Sequence, residues 1–339
     1  MKKYILYALL ILVHASCSKE FTELSPISER NIQSAYKTEA DFAVAINGVY
    51  DALQLNGTYG KTYLLLNEMR SDNTLNGGGC NGIAQSLCDV ELFKEITTAN
   101  ELSSAWSDSY KGIARCNIIL DKIDASVVPD ALKKRYKGEA LYIRSLLYYN
   151  LAVIFGNVPL QLTDVASPSD VNLKQSNAAE IYKQIIADLI AAEPLLPAKY
   201  TGADIGRVTS GAVNTLLGKI YLTNGDKGSA ITALNKVVDS KNYSLVTDYA
   251  KLWGAANENG PESIFEIQAY VSPNGAVNNG MGFATCMGVR ASSASGWNLG
   301  WGWDTPTENL VNAYETGDVR KQSTILFSGQ SDDPATGGY

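Results

Sequence analysis

The sequence predicts a mainly helical protein, built from tetratricopeptide-type helix pairs with loop-rich insertions and a few short strands. Three observations predict this fold class. Apolar residues recur at helical spacing in several separate segments. The stretch 138–160 carries no charge after Arg144, which indicates a helix that is covered on most sides. Residues 209–240 follow a tetratricopeptide pattern. Helix pairs of this type stack on neighbouring helices, which would cover the 138–160 helix.

The first 17 residues are predicted to be a secretion signal and not part of the fold. Two lysines precede an apolar core from Tyr4 to Val13, and a pair of small residues precedes Cys17. This order resembles a bacterial lipoprotein signal, in which the cysteine becomes the lipidated first residue of the mature chain. It departs from such signals at His14, where they usually carry leucine. An ordinary cleaved secretion signal is the alternative.

The predicted helical region covers residues 38–241 and follows a polar tether at 18–37. Its first helix begins after Thr38, because that residue is a good N-cap and Asp41 occupies the capping-box position. Residues 56–100 are predicted to be rich in loops. The next helix, over about 101–123, carries an apolar face that includes the aromatic pair Trp106 and Tyr110, which we expect in the core.

The helix predicted over residues 130–155 organises this region. It ends at Gly156, a C-cap residue, with Pro159 shortly beyond. A membrane span needs about 20 predominantly apolar residues, and the tyrosines, asparagines, glycine and proline of this stretch break that requirement. The helix is therefore expected in the protein core, where Arg144 is predicted to form a buried ion pair or hydrogen-bond network.

The tetratricopeptide pattern places two helices around a Gly225-Asp226 turn. The matching positions are Leu217, Gly218, Tyr221, Ala230 and Leu234. The tryptophan position of the pattern is Asn214 and the closing proline is missing, so we interpret the segment as one degenerate repeat. A preceding helix is predicted from a cap at Ser176 or Asn177 to about Glu193.

Residues 242–339 form a loop-rich region with a different character. Residues 263–270 alternate in polarity, which predicts a short strand. The following segment, 271–303, is rich in Gly, Asn and Ser, and a short helix is predicted from Thr307 to Glu315. The last residues have loop composition.

Charge and composition exclude several classes of function. The chain has 339 residues, a formal net charge of −7 and a pI of about 4.9. This acidic composition argues against nucleic-acid binding, because binding to phosphates requires a basic surface. Its single histidine, His14, would leave with the signal. A mature chain without histidine cannot use Ser-His-Asp or Cys-His catalysis or a histidine-ligated metal. We therefore predict no metal site and no cofactor.

Two of the four remaining cysteines lie close together in a Gly/Asn-rich loop. In an exported protein, Cys80 and Cys88 can form a local disulfide, and two free thiols are the alternative. Cys116 falls on a helical apolar stripe and is expected to be a core residue. A thiolate zinc site is not expected, because the sequence contains no CxxC pair.

Six segments in order resemble the SusD/RagB family of surface glycan-binding lipoproteins of Bacteroidetes. They are NGVYDAL at 47–53, the Trp106, Tyr110 and Asn117 pattern, GEALYIRSLLYYNLAVIFGNVPL at 138–160, GRVTSGAVNTLLGKIYL at 206–222, PESIFEI at 261–267 and TPTENLVNAYETGDVR at 305–320. The resemblance implies a SusD-like helical scaffold. Members usually continue through further helices, so we expect this chain to be a fragment or the product of a truncated gene model.

The resemblance also implies a function. Members capture oligosaccharide at the cell surface and pass it to a TonB-dependent, SusC-like outer-membrane transporter. The protein is then expected to be non-enzymatic and anchored to the outer membrane through lipid on Cys17. The acyl chains would supply the anchoring, because each buried CH₂ adds to membrane affinity.

Aromatic residues in the loop-rich region are the first candidates for sugar binding. Trp297, Trp301 and Trp303 lie within seven residues, with Asn298 between them, in a Gly-rich segment unlike a core helix. Apolar faces of pyranose rings stack on aromatic rings, and polar groups fix the hydroxyls. Local packing is the alternative, which we favour most for Trp303.

The first long loop supplies the candidate polar groups Asp72, Asn73 and Asn76. Ordinary turn chemistry is the alternative there, because Asn and Asp favour loops.

Two other classes of protein remain open. A helical glycoside hydrolase needs only two carboxylates roughly 5–10 Å apart, and a tetratricopeptide scaffold would bind peptides.

Overall fold

The structure is a computed structural model of a mainly helical protein, as the sequence predicts. The α-helices are α1 (Glu39–Asp51), α2 (Thr62–Glu68), α3 (Gln85–Glu91), α4 (Asn100–Lys122), α5 (Asp130–Phe155), α6 (Ala178–Ala192), α7 (Ser210–Thr223), α8 (Lys227–Asp239), α9 (Gly282–Met287), α10 (Glu308–Ala313) and α11 (Arg320–Thr324). The residues described are 36–77, 79, 80, 82, 85–165, 167–270, 282–288 and 300–327.

Short elements connect the α-helices. The strands β1 (Thr74–Leu75) and β4 (Thr305–Pro306) pair antiparallel, as do β2 (Val158–Pro159) and β3 (Gln175–Ser176). The 3₁₀ helices are Ala52–Gln54, Pro168–Val171, Glu193–Leu195, Gly202–Asp204, Tyr249–Leu252 and Ala255–Asn257.

Capping residues determine where the principal helices begin and end. The Thr38 side chain accepts from the Asp41 backbone, and the Asp41 carboxylate accepts in return, so α1 begins with the predicted capping box. Asn177 and Glu180 form the same arrangement before α6. Helix α5 covers the predicted range and ends at Gly156, which adopts φ of +72°.

Helix α5 lies at the centre of the main core. It packs against α4 on one side and α6 on the other, and α1 and α7 also contact it. Tyr148 and Leu147 are fully buried, while Trp106 and Tyr110 of α4 are partly buried against the same core. The prediction that the Trp106–Tyr110 pair serves packing is confirmed, because their rings lie 5.1 Å apart within it.

Helices α7 and α8 form the predicted tetratricopeptide-type pair. Gly225 closes the turn between them with φ of +81°, and the Asp226 side chain caps α8. Gly218 faces the Leu234 side chain so closely that a Cβ there would clash with it. A small residue is therefore required where these two helices approach.

A buried ionic network joins three helices at the core. The Arg144 guanidinium donates to Asp188 of α6 at 2.9 Å and to the Asn117 side chain of α4 at 2.8 Å. It also donates to the Leu162 carbonyl at 2.9 Å, and the side chains of Arg144 and Asp188 are only 6% and 7% exposed. The prediction of a buried network around Arg144 is confirmed.

A second ionic network surrounds Glu139 of α5, which is fully buried. Its carboxylate lies 3.2 Å from the guanidinium of Arg207 and 3.6 Å from that of Arg135, and both arginines also pair with Asp204. Arg207 further donates to the Asn47 side chain of α1 at 2.9 Å. The network therefore fastens the 204–207 loop to α1 and α5, and no local sequence pattern predicts it.

One prediction about local structure was wrong. No strand forms over 263–270; Ile264, Phe265 and Ile267 pack against the helical core instead, and residues 262–267 are all partly buried. The alternating pattern therefore reflects an extended segment lying on helices and not a half-exposed sheet. Residues 56–100 are rich in loops as predicted and also contain the short helices α2 and α3.

A smaller core lies between α2, α3, α4 and α9. It comprises Leu65, Leu66, Met69, Leu87, Val90, Ala105 and Cys286, with Phe283 and Trp303 packed against it.

None of the helices in the described residues combines the length and apolarity that crossing a membrane requires.

Candidate functional site

The pairing of β1 with β4 brings together two segments that are more than two hundred residues apart in the chain. Thr74 lies opposite Pro306 and Leu75 lies opposite Thr305. The loop that carries Asp72 and Asn73 therefore lies beside the segment that follows Trp301. Two segments that carry residues predicted to bind sugar are thus joined by backbone pairing.

Hydrogen bonds from Thr307 and Thr305 fix this junction. The Thr307 N–H donates to the Asn73 carbonyl at 2.9 Å, and its hydroxyl donates to the Asp72 carbonyl at 2.6 Å. The Thr305 hydroxyl donates to the Leu75 carbonyl at 3.2 Å. Because these bonds use backbone carbonyls of the loop, the exposed side chains of Asp72 and Asn73 are left facing the surface.

Trp301 and Trp303 lie side by side at this junction. Their ring centroids are 4.4 Å apart at an interplanar angle of 43°, and Trp301 remains 41% exposed. Trp303 is partly buried and packs on the smaller core. The two rings therefore differ in role, since Trp301 presents aromatic surface to solvent and Trp303 supports it from within.

Backbone hydrogen bonds fasten the tryptophan segment to α9. The Trp301 N–H donates to the Thr285 carbonyl and the Trp303 N–H donates to the Cys286 carbonyl, each at 2.8 Å. Gly300 approaches the Gly288 backbone so closely that no Cβ would fit between them. Glycine is required at this crossing because the two backbones are in contact.

Lys61 lies beside the candidate site, although no sequence pattern predicts this. Its ammonium group lies over the Trp301 ring, 6.0 Å from the centroid, which is at the limit for a cation–π contact. A separation of 240 positions leaves no local pattern that would connect the two residues. Only the packing of the 56–62 turn beside α9 brings them together.

Asp304 contributes a carboxyl group beneath the surface. It is only 4% exposed, and burial raises its pKa, with a further increase from the charge of Glu68 and an opposing hydrogen bond from Thr74. This carboxyl follows Trp303 directly. It lies too deep to meet a sugar ring stacked on Trp301, so we interpret it as part of the support for the site.

The loop between β1 and α3 is held by a disulfide and a buried amide. Cys80 and Cys88 are joined, with their Cα atoms 5.6 Å apart. Asn76 is buried; its N–H donates to Glu91 at 2.9 Å and its side chain to the Cys88 sulfur at 3.0 Å. Asn76 therefore stabilises the loop, and the prediction that it binds ligand is not supported by its position.

The remaining predicted residues divide between this surface and parts of the chain outside the described ranges. Trp297 and Asn298 lie outside the described residues, as does Cys17. Asp72, Asn73 and Trp301 are exposed at the junction. Among the residues that the structure describes, no group of three or more His, Cys, Asp or Glu side chains is placed to hold a metal ion.

Comparison with protein families identifies one match. Residues 21–222 match the SusD-like family model described as starch-binding and associating with the outer membrane. SusD-like protein P2 of Formosa agariphila is 26% identical over 335 residues, which cover 96% of this chain and 64% of that protein. SusD-like protein P25 of the same organism is 24% identical, over 79% of this chain and 51% of that protein. The chain therefore spans about half to two thirds of these relatives.

Solved structures with the same fold include glycan-binding proteins. A laminarin-binding SusD-like protein has a TM-score of 0.77 and 29% identity, over 86% of this chain and 67% of that one. Surface glycan-binding protein A from Bacteroides fluxus has a TM-score of 0.73 and 26% identity, over 85% of this chain and 64% of that one.

Proposed function

Since this chain belongs to the SusD-like family, we propose that it is a glycan-binding protein of the outer membrane. The observation that supports the proposal is the pairing of β1 with β4, which joins the segment that carries exposed Trp301 to the loop that carries Asp72 and Asn73. The family and the laminarin-binding structural relative support the class of ligand.

The chemistry of the junction fits a sugar ring. The apolar face of a pyranose stacks on the Trp301 indole, and the carboxylate and amide of Asp72 and Asn73 accept from and donate to its hydroxyls. Trp297 and Asn298, which the sequence predicts to contact ligand, are included among the proposed glycan-binding residues. The rigid supports beneath the site reduce the ordering that binding requires, since Trp301 is fastened to α9 before a ligand arrives.

We propose binding without hydrolysis. A glycosidase needs a pair of carboxyl groups at the scissile bond. At this junction Asp72 is exposed, whereas Asp304 is buried, so a glycan reaches the first carboxyl group and not the second. A helical glycoside hydrolase is the second candidate. Release of reducing ends from a bound glycan would establish it.

Replacing Trp301 with alanine is expected to lower glycan affinity by about tenfold, which corresponds to a loss of about 1.4 kcal/mol of stacking. Affinity electrophoresis through laminarin, amylopectin, xylan, glucomannan and pectin identifies a glycan that retards the parent. Titration calorimetry with that glycan then measures the variants Trp301→Ala and Trp297→Ala. Phe93→Ala removes another exposed aromatic ring and is the control.

Unchanged affinity in both tryptophan variants would show that these rings are not the binding surface. Reducing ends are measured in the same samples. Their release from the retained glycan, lost in a single Asp or Glu variant, would replace the binding-protein assignment with the hydrolase.

We further propose that lipid on Cys17 anchors the protein to the cell surface, where it delivers oligosaccharide to a TonB-dependent, SusC-like transporter. Cys17→Ala is expected to move the protein from the outer-membrane fraction to the soluble fraction, because one or more acyl chains supply the anchoring. Fractionation followed by immunoblotting checks this, with Ser18→Ala as the neighbouring control. Continued partitioning of Cys17→Ala with the membrane would contradict the anchor.

The same membranes test the partner. Mild detergent extraction and affinity purification of the tagged parent protein are expected to recover a TonB-dependent transporter, identified by mass spectrometry. Recovery of the tagged protein alone after cross-linking in intact cells would contradict the delivery step and leave the sugar-binding proposal unaffected.

A further inference from the structure

An aromatic cleft lies outside the Trp301 surface. It is formed where the 3₁₀ helix Tyr249–Leu252 meets the segment from α10 to α11, and its volume is about 260 Å³. Its lining residues are Tyr249, Leu310, Ala313, Tyr314, Asp318 and Arg320. The two tyrosines and Leu310 supply apolar walls, and the Asp318–Arg320 pair supplies the polar groups.

The polar groups of the cleft are hydrogen-bonded to each other. The Arg320 Nε–H donates to the Asp318 carboxylate at 2.9 Å, and the Arg320 backbone N–H donates to it at 3.0 Å. These bonds from Arg320 lower the pKa of Asp318 to about 2, so the pair stays doubly ionised at physiological pH. The pair has no net charge and still offers several donors and acceptors to a ligand.

An exposed tryptophan adjoins the cleft. The Trp253 ring packs edge-on against the Tyr249 ring, with centroids 6.0 Å apart, and Trp253 is 41% exposed. The phenol groups of Tyr249 and Tyr314 both lie near enough to Arg320 to influence the pKa of its guanidinium. Aromatic surface and hydrogen-bonding groups therefore converge on one small volume.

We propose that this cleft is a second carbohydrate-binding subsite that holds a single sugar ring. Its ligand class rests on the proposed function, whereas its position and residues are independent of Trp301. Tyrosine rings offer stacking surface to the apolar face of a sugar, and a carboxylate–guanidinium pair offers donors and acceptors to neighbouring hydroxyls. A neutral pair gives no net attraction to a phosphate or another anion, which favours an uncharged sugar.

The chain connects the two sites through one short helix. Thr307, which bonds the Asp72–Asn73 loop, caps α10, and Tyr314 follows the end of that helix. Six helical residues span about 9 Å. The cleft is therefore connected to the β1–β4 junction by one short helix. A glycan long enough to reach both sites would bind with higher affinity through effective concentration.

The test compares single and double variants on the glycan that the parent retains. Tyr314→Ala is expected to lower affinity for the polymer by about fivefold, the loss of one aromatic contact. Tyr314→Phe keeps the ring and is expected to bind like the parent. The double variant Trp301→Ala/Tyr314→Ala is expected to lose measurable binding. Tyr249→Ala removes the opposite wall of the cleft. It replaces Tyr314→Ala in the comparison if circular dichroism shows that Tyr314→Ala does not fold.

The outcomes separate the two proposals. If the cleft variants bind like the parent while Trp301→Ala is weakened, the second subsite is overturned and the proposed function stands. If Trp301→Ala binds like the parent while both cleft variants are weakened, the cleft stands and the Trp301 surface is overturned. If affinity electrophoresis finds no retained glycan for the parent, both are overturned.

Discussion

Replacing Asp188 with alanine is expected to lower the free energy of unfolding by about 3–5 kcal/mol. The substitution leaves the Arg144 guanidinium in the core with only Asn117 and a carbonyl as partners. An uncompensated buried charge is the costly outcome, because desolvation of the arginine is no longer offset by its carboxylate. Urea denaturation followed by circular dichroism measures the change.

Two further variants show that the cost comes from the unpaired charge. Asp124→Ala breaks the exposed Lys137–Asp124 pair of 2.7 Å and is expected to cost less than about 1 kcal/mol. The double variant Arg144→Met/Asp188→Leu removes both charges and is expected to stay close to the parent. Burial already raises the pKa of Asp188 despite its arginine partner, which agrees with a pair that contributes little net stability. A loss below 1 kcal/mol for Asp188→Ala would contradict this account.

The helical part of the fold was predictable because its signals are local. The capping box at Thr38, the C-cap at Gly156 and the turn at Gly225 each depend on residues within one turn of helix. Regular apolar stripes then indicate which face is buried. The buried network around Arg144 was predictable for a related reason, since a charged residue within an apolar helix needs a partner.

The remainder could not be predicted because it depends on contacts between distant segments. Alternation over 263–270 looks like a strand, but no neighbouring strand exists there for it to pair with among the described residues, and the segment packs on helices instead. The Glu139 network joins three separate elements through side chains. A glutamate within a helix carries no local signal of such burial.

The sequence predicted which residue types form the candidate site but not how distant segments bring them together. Aromatic clustering identified the tryptophan segment, and loop composition identified Asp72 and Asn73. Their meeting through β1 and β4 depends on two-residue strands, which are too short to leave a pattern in a sequence. Asn76 has the same residue type as Asn73 but is buried, so composition alone did not separate a surface group from a structural one.

Glu139 is expected to make the stability of the protein depend on pH. Burial raises its pKa from 4.5 to about 7, although the guanidinium groups of Arg207 and Arg135 oppose the shift. The folded protein therefore binds this proton more tightly than the unfolded chain. The resulting stability is fully present below pH 4.5 and is lost as the pH rises through 7, a change on the order of 3 kcal/mol.

The variant Glu139→Gln isolates this effect because its side chain has the same shape and no titrating group. Unfolding free energies of parent and variant are measured in urea from pH 4.5 to pH 8. The variant is expected to gain stability relative to the parent as the pH rises, since only the parent acquires a buried charge. Glu308→Gln, at an exposed position, is the control for removal of a surface charge. A difference that stays constant, or that falls with rising pH, would mean that Arg207 and Arg135 outweigh desolvation and keep Glu139 ionised throughout.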